Sequence, residues 1–283
     1  MDTLTIRPMQ PADLDFAAQC TAREGWASET RAEFAGFYAH DPAGCLLAEA
    51  EGQRIGICVA TSYGVAGFVG ELIVVPGRRG QGVGRRLLEQ AIAYLHGRGT
   101  QSIFLDGVTA AVPLYARLGF RPICRSLRFA GAIAGRVPAG VRAMRPDDLA
   151  TVSRIDSQAF GADRTFFLRR RLSLYPELCK VLICNGEISG YIVGRRGWNS
   201  VSAGPWLVRP EVPGAAALLE SLAAEVPDGR ISLGMLEMNR QAVATIRALG
   251  LVERPDPPWR MVLGAGELGA SPQLYAIGSA AKG

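Results

Sequence analysis

Two short passages hold the residues most able to do chemistry. The first reads Leu72-Ile73-Val74-Val75-Pro76-Gly77-Arg78-Arg79-Gly80-Gln81-Gly82-Val83-Gly84-Arg85-Arg86-Leu87-Leu88. Its alternating glycines leave the backbone bare, so several N–H groups at the start of a helix become available to a phosphate. The passage therefore predicts an anion-binding loop between a strand and an amphipathic helix.

The residues around this loop exclude two well-known phosphate sites. A dinucleotide-binding fold needs an acidic residue about 20 positions after its glycines, and an NTP-binding P-loop needs a Lys after its last glycine. Neither pattern is present, since Arg85 stands where the dinucleotide pattern needs its last Gly and also follows the last glycine of the loop. The alternative that remains is a glycine-rich connection that packs a helix closely on a strand, without any ligand.

The second passage reads Ala111-Val112-Pro113-Leu114-Tyr115-Ala116-Arg117-Leu118-Gly119-Phe120. Gly119 suits the left-handed position that ends a helix. Together the two passages resemble the GNAT superfamily of acyl-CoA-dependent N-acetyltransferases. The family pattern, Gln or Arg followed by x-x-G-x-G or x-x-G-x-A, falls on Arg79, Gly82 and Gly84. One departure is Val108, where the family often has Asn seven residues before the Tyr.

The resemblance implies that acetyl-CoA (coenzyme A) is the cofactor. Backbone N–H groups and Arg side chains of the loop would hold its pyrophosphate, and its pantetheine would pair along Ile73 to Val75 like an extra strand. The N–H of Val74 would face the thioester oxygen. The cofactor-binding residues expected on this basis are Ile73, Val74, Val75, Arg78, Arg79, Gly80, Gln81, Gly82, Val83, Gly84 and Arg85.

The resemblance also assigns catalytic candidates. Tyr115 is the expected general acid, because a phenol of pKa about 10 keeps its proton until a thiolate of pKa about 8.5 needs it. Glu71 is the first candidate base, although simple alternation places it on the opposite face from Val74 unless a bulge redirects it. Asp106 is the second candidate, and a chain of waters is the third.

The acceptor is expected to be a small-molecule or peptide amine. In GNAT proteins the region that precedes the central strands forms the acceptor pocket, so Trp26 and Tyr63 are the substrate-binding candidates. Ordinary core packing explains the same aromatic residues equally well. A non-catalytic acyl-CoA-binding regulatory module is the alternative function, since the Asn is missing and the base is uncertain.

The elements that position these residues occur twice. Ile6-Arg7-Pro8-Met9 is repeated by Val141-Arg142-Ala143-Met144, and Leu87-Leu88-Glu89 by Leu218-Leu219-Glu220. The spacing shortens from 135 to 131 residues along the chain, and the loss falls on the glycine loop, where the copy has Glu211 and Pro213. The position of Tyr115 is Ile246 in the copy.

We therefore predict an α/β fold with a mixed, mostly antiparallel sheet in two tandem GNAT-like domains. Residues 1–135 form the catalytic domain, and residues 136–283 form a degenerate domain without the pyrophosphate loop. The passage Leu274-Tyr275-Ala276-Ile277 is the expected closing strand.

The overall composition limits the classes of partner that are expected. No apolar stretch reaches the roughly 18 residues of a membrane span, and the first residues lack an export signal, so a cytoplasmic protein without a membrane partner is expected. Six scattered Cys and two His give no metal set, which predicts reduced thiols and no metal. The net charge of +5 comes from dispersed Arg, so nucleic acid is not expected as a partner. The oligomeric state stays open, with a homodimer among the options.

Overall fold

The first half of the chain alternates strands with helices that flank them. The computed structural model describes residues 4–26, 28–269 and 271–283. Its first-half strands are β1 (Thr5–Pro8), β2 (Cys45–Ala50), β3 (Gln53–Ser62), β4 (Ala66–Val74), β5 (Ser102–Gly107) and β6 (Arg121–Ala132). The helices are α1 (Leu14–Arg23), α2 (Arg31–His40), α3 (Val83–Gly97) and α4 (Val112–Arg117).

The second half repeats this order of elements. Its strands are β7 (Val141–Ala143), β8 (Cys179–Cys184), β9 (Glu187–Arg196), β10 (Val201–Val208), β11 (Arg230–Leu236), β12 (Val252–Glu253), β13 (Trp259–Leu263) and β14 (Leu274–Ala276). Its helices are α5 (Leu149–Phe160), α6 (Thr165–Leu174), α7 (Ala215–Ala223) and α8 (Arg240–Ala248). The mixed α/β class and the strand expected near Leu274 are confirmed.

The strand registers of the two halves coincide. Ala48 of β2 pairs with Gly56 of β3, and 134 residues later Leu182 of β8 pairs with Gly190 of β9. Both central pairs, β3 with β4 and β9 with β10, also shift register at matching places. Because one slipped residue would reverse every side chain, the shared register supports the repeat seen in the sequence.

The two halves exchange strands where their sheets meet. β13 of the second half lies between β5 and β6 in the sheet of the first half. In return, the later part of β6 pairs with β11 of the second half. The exchange joins the described strands into one sheet of 14 strands. The predicted division at residue 135 falls just after β6, and strands from both sides of it cross to the other half.

Buried ion pairs stabilise this strand exchange. Asp106 at the end of β5 accepts hydrogen bonds from Arg260 of β13 and from Arg128 and Ser126 of β6. Although burial alone raises the pKa of Asp106, the two guanidinium groups bring it below its usual value. One carboxylate therefore ties together three strands of the exchanged region.

Helix α3 fixes the glycine loop to the sheet. Its buried side chains recur on one face and lie against β3 and β4; they are Val83, Leu87, Leu88, Ala91 and Leu95. This packing holds the start of the helix just beyond the end of β4.

Candidate active site

A cavity of about 1240 Å³ opens where β4 and β5 diverge. The parallel pairing of these strands ends at Phe68 and Phe104. Beyond that point, the remainder of β4 and the end of β5 line the cavity, together with the glycine loop, Tyr115 and parts of the second half. The expected loop, strand and tyrosine therefore meet at one site.

The glycine loop has the geometry of an anion cradle. Gly80 and Gly82 have φ of 76° and 82°, a conformation that favours glycine, and Gly82 is the residue before α3. A Cβ atom built on either residue would meet no atom within 4 Å. Open space thus lies over the loop at the positive end of the α3 dipole, which suits a phosphate.

The arginines of the loop already have partners at its rim. Arg79 donates to the Val74 carbonyl at 2.8 Å and to the Glu24 carboxylate. Arg85 donates to Glu89 on the next turn of α3 at 2.7 Å. These ion pairs are exposed, and exposed pairs contribute about 1 kcal/mol or less, so a polyanion can compete for the guanidinium groups.

The backbone of Val74 faces the cavity. The N–H of Val75 donates to the Ile55 carbonyl of β3 at 2.9 Å. Because neighbouring residues of an antiparallel strand direct their polar groups to opposite edges, the N–H of Val74 is directed away from β3. Its carbonyl, on the same edge, accepts the bond from Arg79. The strand therefore offers a free edge to a ligand beside Ile73 and Val74.

Glu71 lies at a bulge in β4. The bulge places Glu71 at φ 51°, and its side chain is 4% exposed and lines the cavity. Burial raises the pKa of Glu71 well above its usual value, and the negative charge of Glu29 adds to the rise. The bulge thus turns Glu71 into the cavity, as the base assignment requires.

Tyr115, on α4, also lines the cavity. Its ring packs 6.1 Å from the ring of Phe120, and a Cβ on Gly107 would meet the Tyr115 ring at 2.6 Å. Burial raises the pKa of Tyr115 above its usual value, so the phenol stays protonated at neutral pH. The side chain can therefore serve as a proton donor.

Of the two substrate-binding candidates, one lines the cavity and the other does not. Trp26 lines the cavity, as expected. Tyr63 does not; it packs among Phe68, Phe160 and Phe167 and donates to the Lys282 carbonyl at 3.0 Å. The expectation for Tyr63 is corrected, because β3 ends at the side of the sheet that the second half covers.

Within the loop, not every predicted cofactor residue reaches the cavity. Gly80, Gly82, Gly84, Arg78, Arg79 and Arg85 line it. Val75 directs its N–H to β3, Val83 is the buried first residue of α3, and the Gln81 side chain donates to the Gly77 carbonyl. Asp106 is a poor candidate base, because two arginines hold its carboxylate and lower its pKa.

The second half contributes residues that the sequence did not point to. Arg195 of β9 and the segment Gly278–Ala280 line the inner end of the cavity, together with Ser28 and Glu29 of the first half. An Arg at the end of a strand and small residues after a strand carry no chemical pattern of their own. Their role depends on how the two halves are assembled.

The parts of the chain that the structure describes offer neither a metal site nor a membrane-spanning helix. No group of three or more His, Cys, Asp or Glu side chains could hold a metal ion there. None of the helices there combines the length and apolar character needed to cross a bilayer.

Models of known families match both halves. The acetyltransferase (GNAT) family model matches residues 12–120, and a second acetyltransferase (GNAT) domain model matches residues 152–276. The chain belongs to the acetyltransferase (GNAT) family. The second match also shows that the half without the glycine loop carries a GNAT domain.

A curated relative gives a narrower likeness. A mycothiol acetyltransferase from Thermobispora bispora is 41% identical over an alignment 90 positions long, which covers 28% of this chain and 30% of that protein. The aligned segment thus spans less than a third of the length of the curated relative.

Solved structures share the whole two-domain fold. A proposed acetyltransferase from Pyrococcus horikoshii aligns with a TM-score of 0.82 and 22% identity, over 99% of this chain and 96% of that chain. A tandem GNAT protein from the clavulanic acid biosynthesis pathway aligns at 0.63 and 18%, over 94% and 99%. At these identities the likeness is one of fold.

Proposed function

We propose that this GNAT protein is an acetyl-CoA-dependent N-acetyltransferase and that its first half carries out the reaction. The acceptor is a primary amine of a small molecule or an amino terminus. One observation carries the proposal: the glycine loop, the free edge of β4, Glu71 and Tyr115 all line a single cavity. The acetyltransferase name of the curated relative is consistent with it.

The residues present fit coenzyme A. The open space over Gly80 and Gly82 would take the diphosphate, and the unpaired edge beside Ile73 and Val74 would take the pantetheine. Acetyl-CoA supplies an activated acetyl thioester when it is bound. The N–H of Val74, directed away from β3, is placed to stabilise negative charge on the carbonyl oxygen.

The side chains of Glu71 and Tyr115 carry out the proton transfers of the reaction. An alkylammonium ion of pKa near 10 must lose a proton before its nitrogen can attack, and the Glu71 carboxylate accepts it. The Tyr115 hydroxyl gives its proton to the leaving thiolate. Tyr115 is then reprotonated from the nitrogen that has formed the amide, and Glu71 releases its proton to solvent.

Two measurements test this proposal. Calorimetry with acetyl-CoA is expected to show one binding site per chain, and a thiol reagent is expected to report release of coenzyme A when a suitable primary amine is supplied. Replacing Tyr115→Phe is expected to lower kcat about a hundredfold or more, with acetyl-CoA affinity unchanged.

The outcomes separate the alternatives. No heat of binding with acetyl-CoA would overturn the proposal. Binding without thiol release across a broad amine panel would instead favour a non-catalytic acyl-CoA-binding regulatory module. The Val at position 108, where the family often has Asn, is consistent with that alternative. Full turnover in the Tyr115→Phe variant would remove the acid role and leave the rest intact.

A further inference from the structure

The inner end of the cavity is built by both halves of the protein. Arg195, from the second half, donates to the Glu29 carboxylate at 2.7 Å and to the Ser28 hydroxyl at 3.0 Å. It also donates to the Gly278 carbonyl at 2.6 Å. Since the Arg195 side chain is 3% exposed, these bonds fix the orientation of Glu29.

Two carboxylate oxygens at this end lack a partner. Oε2 of Glu29 and Oε2 of Glu71 are both buried, and neither has a hydrogen-bond partner among the described residues. The two residues are 6% and 4% exposed, and both line the cavity. A buried acceptor without a donor is costly, so a ligand with N–H groups is the partner that this geometry lacks.

We propose that Glu29 and Glu71 form one acceptor subsite for a primary ammonium group, and that Arg195 is the positioning residue that holds Glu29 in it. The inference rests on the proposed function and specifies its acceptor. An ammonium group carries enough donors for both free carboxylate oxygens, and its one positive charge compensates Glu71, since Arg195 already pairs with Glu29. A carboxylate on the carbon next to the nitrogen would be repelled, so free α-amino acids are selected against.

Burial and the neighbouring carboxylates raise the pKa of Glu71, which favours its neutral form before the amine binds. Glu71 is faced by Glu29 and Glu33, which raise its pKa, and by Lys282 and Arg195, which lower it; the Cys58 thiol is also close. Glu33 is itself held by Arg171 and Lys282. When the ammonium ion binds, Glu71 gives up its proton to solvent, and the carboxylate so formed takes a proton from the ammonium group before the nitrogen attacks.

The subsite can be tested without turnover. Protein labelled with carbon-13 at its glutamate carboxyls is titrated with butylammonium chloride and, separately, with norvaline, which is butylamine with an added α-carboxylate. Butylammonium is expected to shift the Glu29 and Glu71 resonances in a saturable way, with norvaline at least tenfold weaker. Equal binding of the two compounds would overturn the acceptor class.

Three variants assign the roles. Glu29→Gln is expected to weaken butylammonium binding at least tenfold and to lower the pH midpoint of Glu71. Arg195→Gln is expected to weaken binding too, but to raise that midpoint, because a nearby positive charge is lost. Arg196→Gln is the matched control, since Arg196 follows on the same strand and pairs at the surface with Glu177.

The results distinguish this inference from the proposed function. Calorimetry with acetyl-CoA is expected to give the same affinity in all three variants, which also shows that they fold. Unchanged butylammonium binding in Glu29→Gln would sink the two-carboxylate subsite even if acetyl-CoA binds. Failure of acetyl-CoA to bind would sink the proposed function, while the ammonium titration would still report on the subsite.

Discussion

The two halves share the same order and register of strands. They differ in what lies between the two strands that diverge in each half. In the first half, β4 and β5 separate around a cavity. In the second half, β10 and β11 separate in the same way after Ala203 and Leu233, but β14 lies along β10. The N–H of Ile277, just past β14, then donates to the Gly234 carbonyl of β11.

The position of β14 matches the position proposed for pantetheine. It pairs with Trp206 and Leu207, which correspond to Leu72 and Ile73 at the spacing of 134 residues. A segment of the chain therefore fills in the second half the edge that the first half leaves to a ligand. Hydrogen bonds between backbones do not depend on the side chains. A peptide strand can therefore pair with the backbone N–H and C=O groups to which the amides of a cofactor would otherwise bind.

The chemical residues differ at the same places. Glu71 at the bulge corresponds to Pro205, and Tyr115 corresponds to Ile246. The N-cap glycine survives, since Gly82 and Gly214 both have a left-handed conformation before a helix. The two halves therefore share backbone geometry, whereas the residues proposed for catalysis are present only in the first half.

The largest difference between the halves is expected at Glu71. Replacing Glu71→Gln removes the base and should lower kcat/KM about a hundredfold or more. In the unchanged protein, activity should fall as pH decreases through the raised pKa of Glu71, because the protonated carboxyl cannot accept a proton. This acid limb should begin above the usual range of a glutamate and should be missing from the variant.

The control for Glu71 comes from the second half. Glu211→Gln changes a carboxylate in the loop that corresponds to the glycine cradle, and it should leave the rate and its pH dependence unchanged. Equal losses in the two variants would contradict the assignment of the chemistry to the first half.

The strand exchange predicts that the halves unfold together. Asp106→Asn leaves Arg260 and Arg128 without their buried carboxylate and should cost about 3–5 kcal/mol of stability. Urea unfolding, followed by fluorescence and by hydrogen exchange in each half, should show one transition that moves to lower urea. Asp228→Asn, at an exposed pair with Arg230, is the control and should change little. Two separate transitions would mean that the exchange does not couple the halves.

Equivalent glycine substitutions in the two halves test whether only the first loop binds acetyl-CoA. Gly82→Val forces a branched side chain into a left-handed conformation and should raise the Kd for acetyl-CoA about tenfold to a hundredfold, at a strain of about 1–3 kcal/mol. Gly214→Val should cost similar stability and leave the Kd unchanged. Calorimetry with thermal unfolding measures both effects. A similar rise in Kd for both variants would indicate that the second half also takes part in binding.

The smallest effect is expected where the halves are most alike. Arg7 pairs with Asp13, and Arg142 pairs with Asp148, at equivalent strand ends. Arg142→Gln should cost about 1 kcal/mol or less, since its side chain is one-third exposed. Arg7→Gln should cost more, because Arg7 also holds Glu49.

The pH dependence of these pairs has a defined sign. The hydrogen bond from Arg142 lowers the pKa of Asp148 below its usual value. The stabilisation is therefore complete above the unfolded pKa of about 4 and is lost as the pH falls through the lower folded value. Unfolding of the Arg142→Gln variant and the unchanged protein should converge in acid. A difference that persists there would show that packing, and not charge, stabilises this corner.

The sequence predicted the residues that line the cavity more completely in the first half than across the two halves. The glycine loop, Glu71, Tyr115 and Trp26 could be placed because each lies in a local motif or beside one. Tyr63 was misplaced, and Glu29 and Arg195 were missed. Those errors share a cause, since all three positions depend on contacts between residues more than 150 positions apart along the chain.

The order of residues along the chain was sufficient for the family, the repeat and the loss of the glycine loop, because strand alternation, helix periodicity and turn glycines are local properties. The assembled fold alone decided that β13 and β6 change places, that β14 fills the second cleft, and that Arg195 reaches Glu29. Such choices depend on long-range strand pairing and on burial of charge, and neither leaves a pattern in the neighbouring residues.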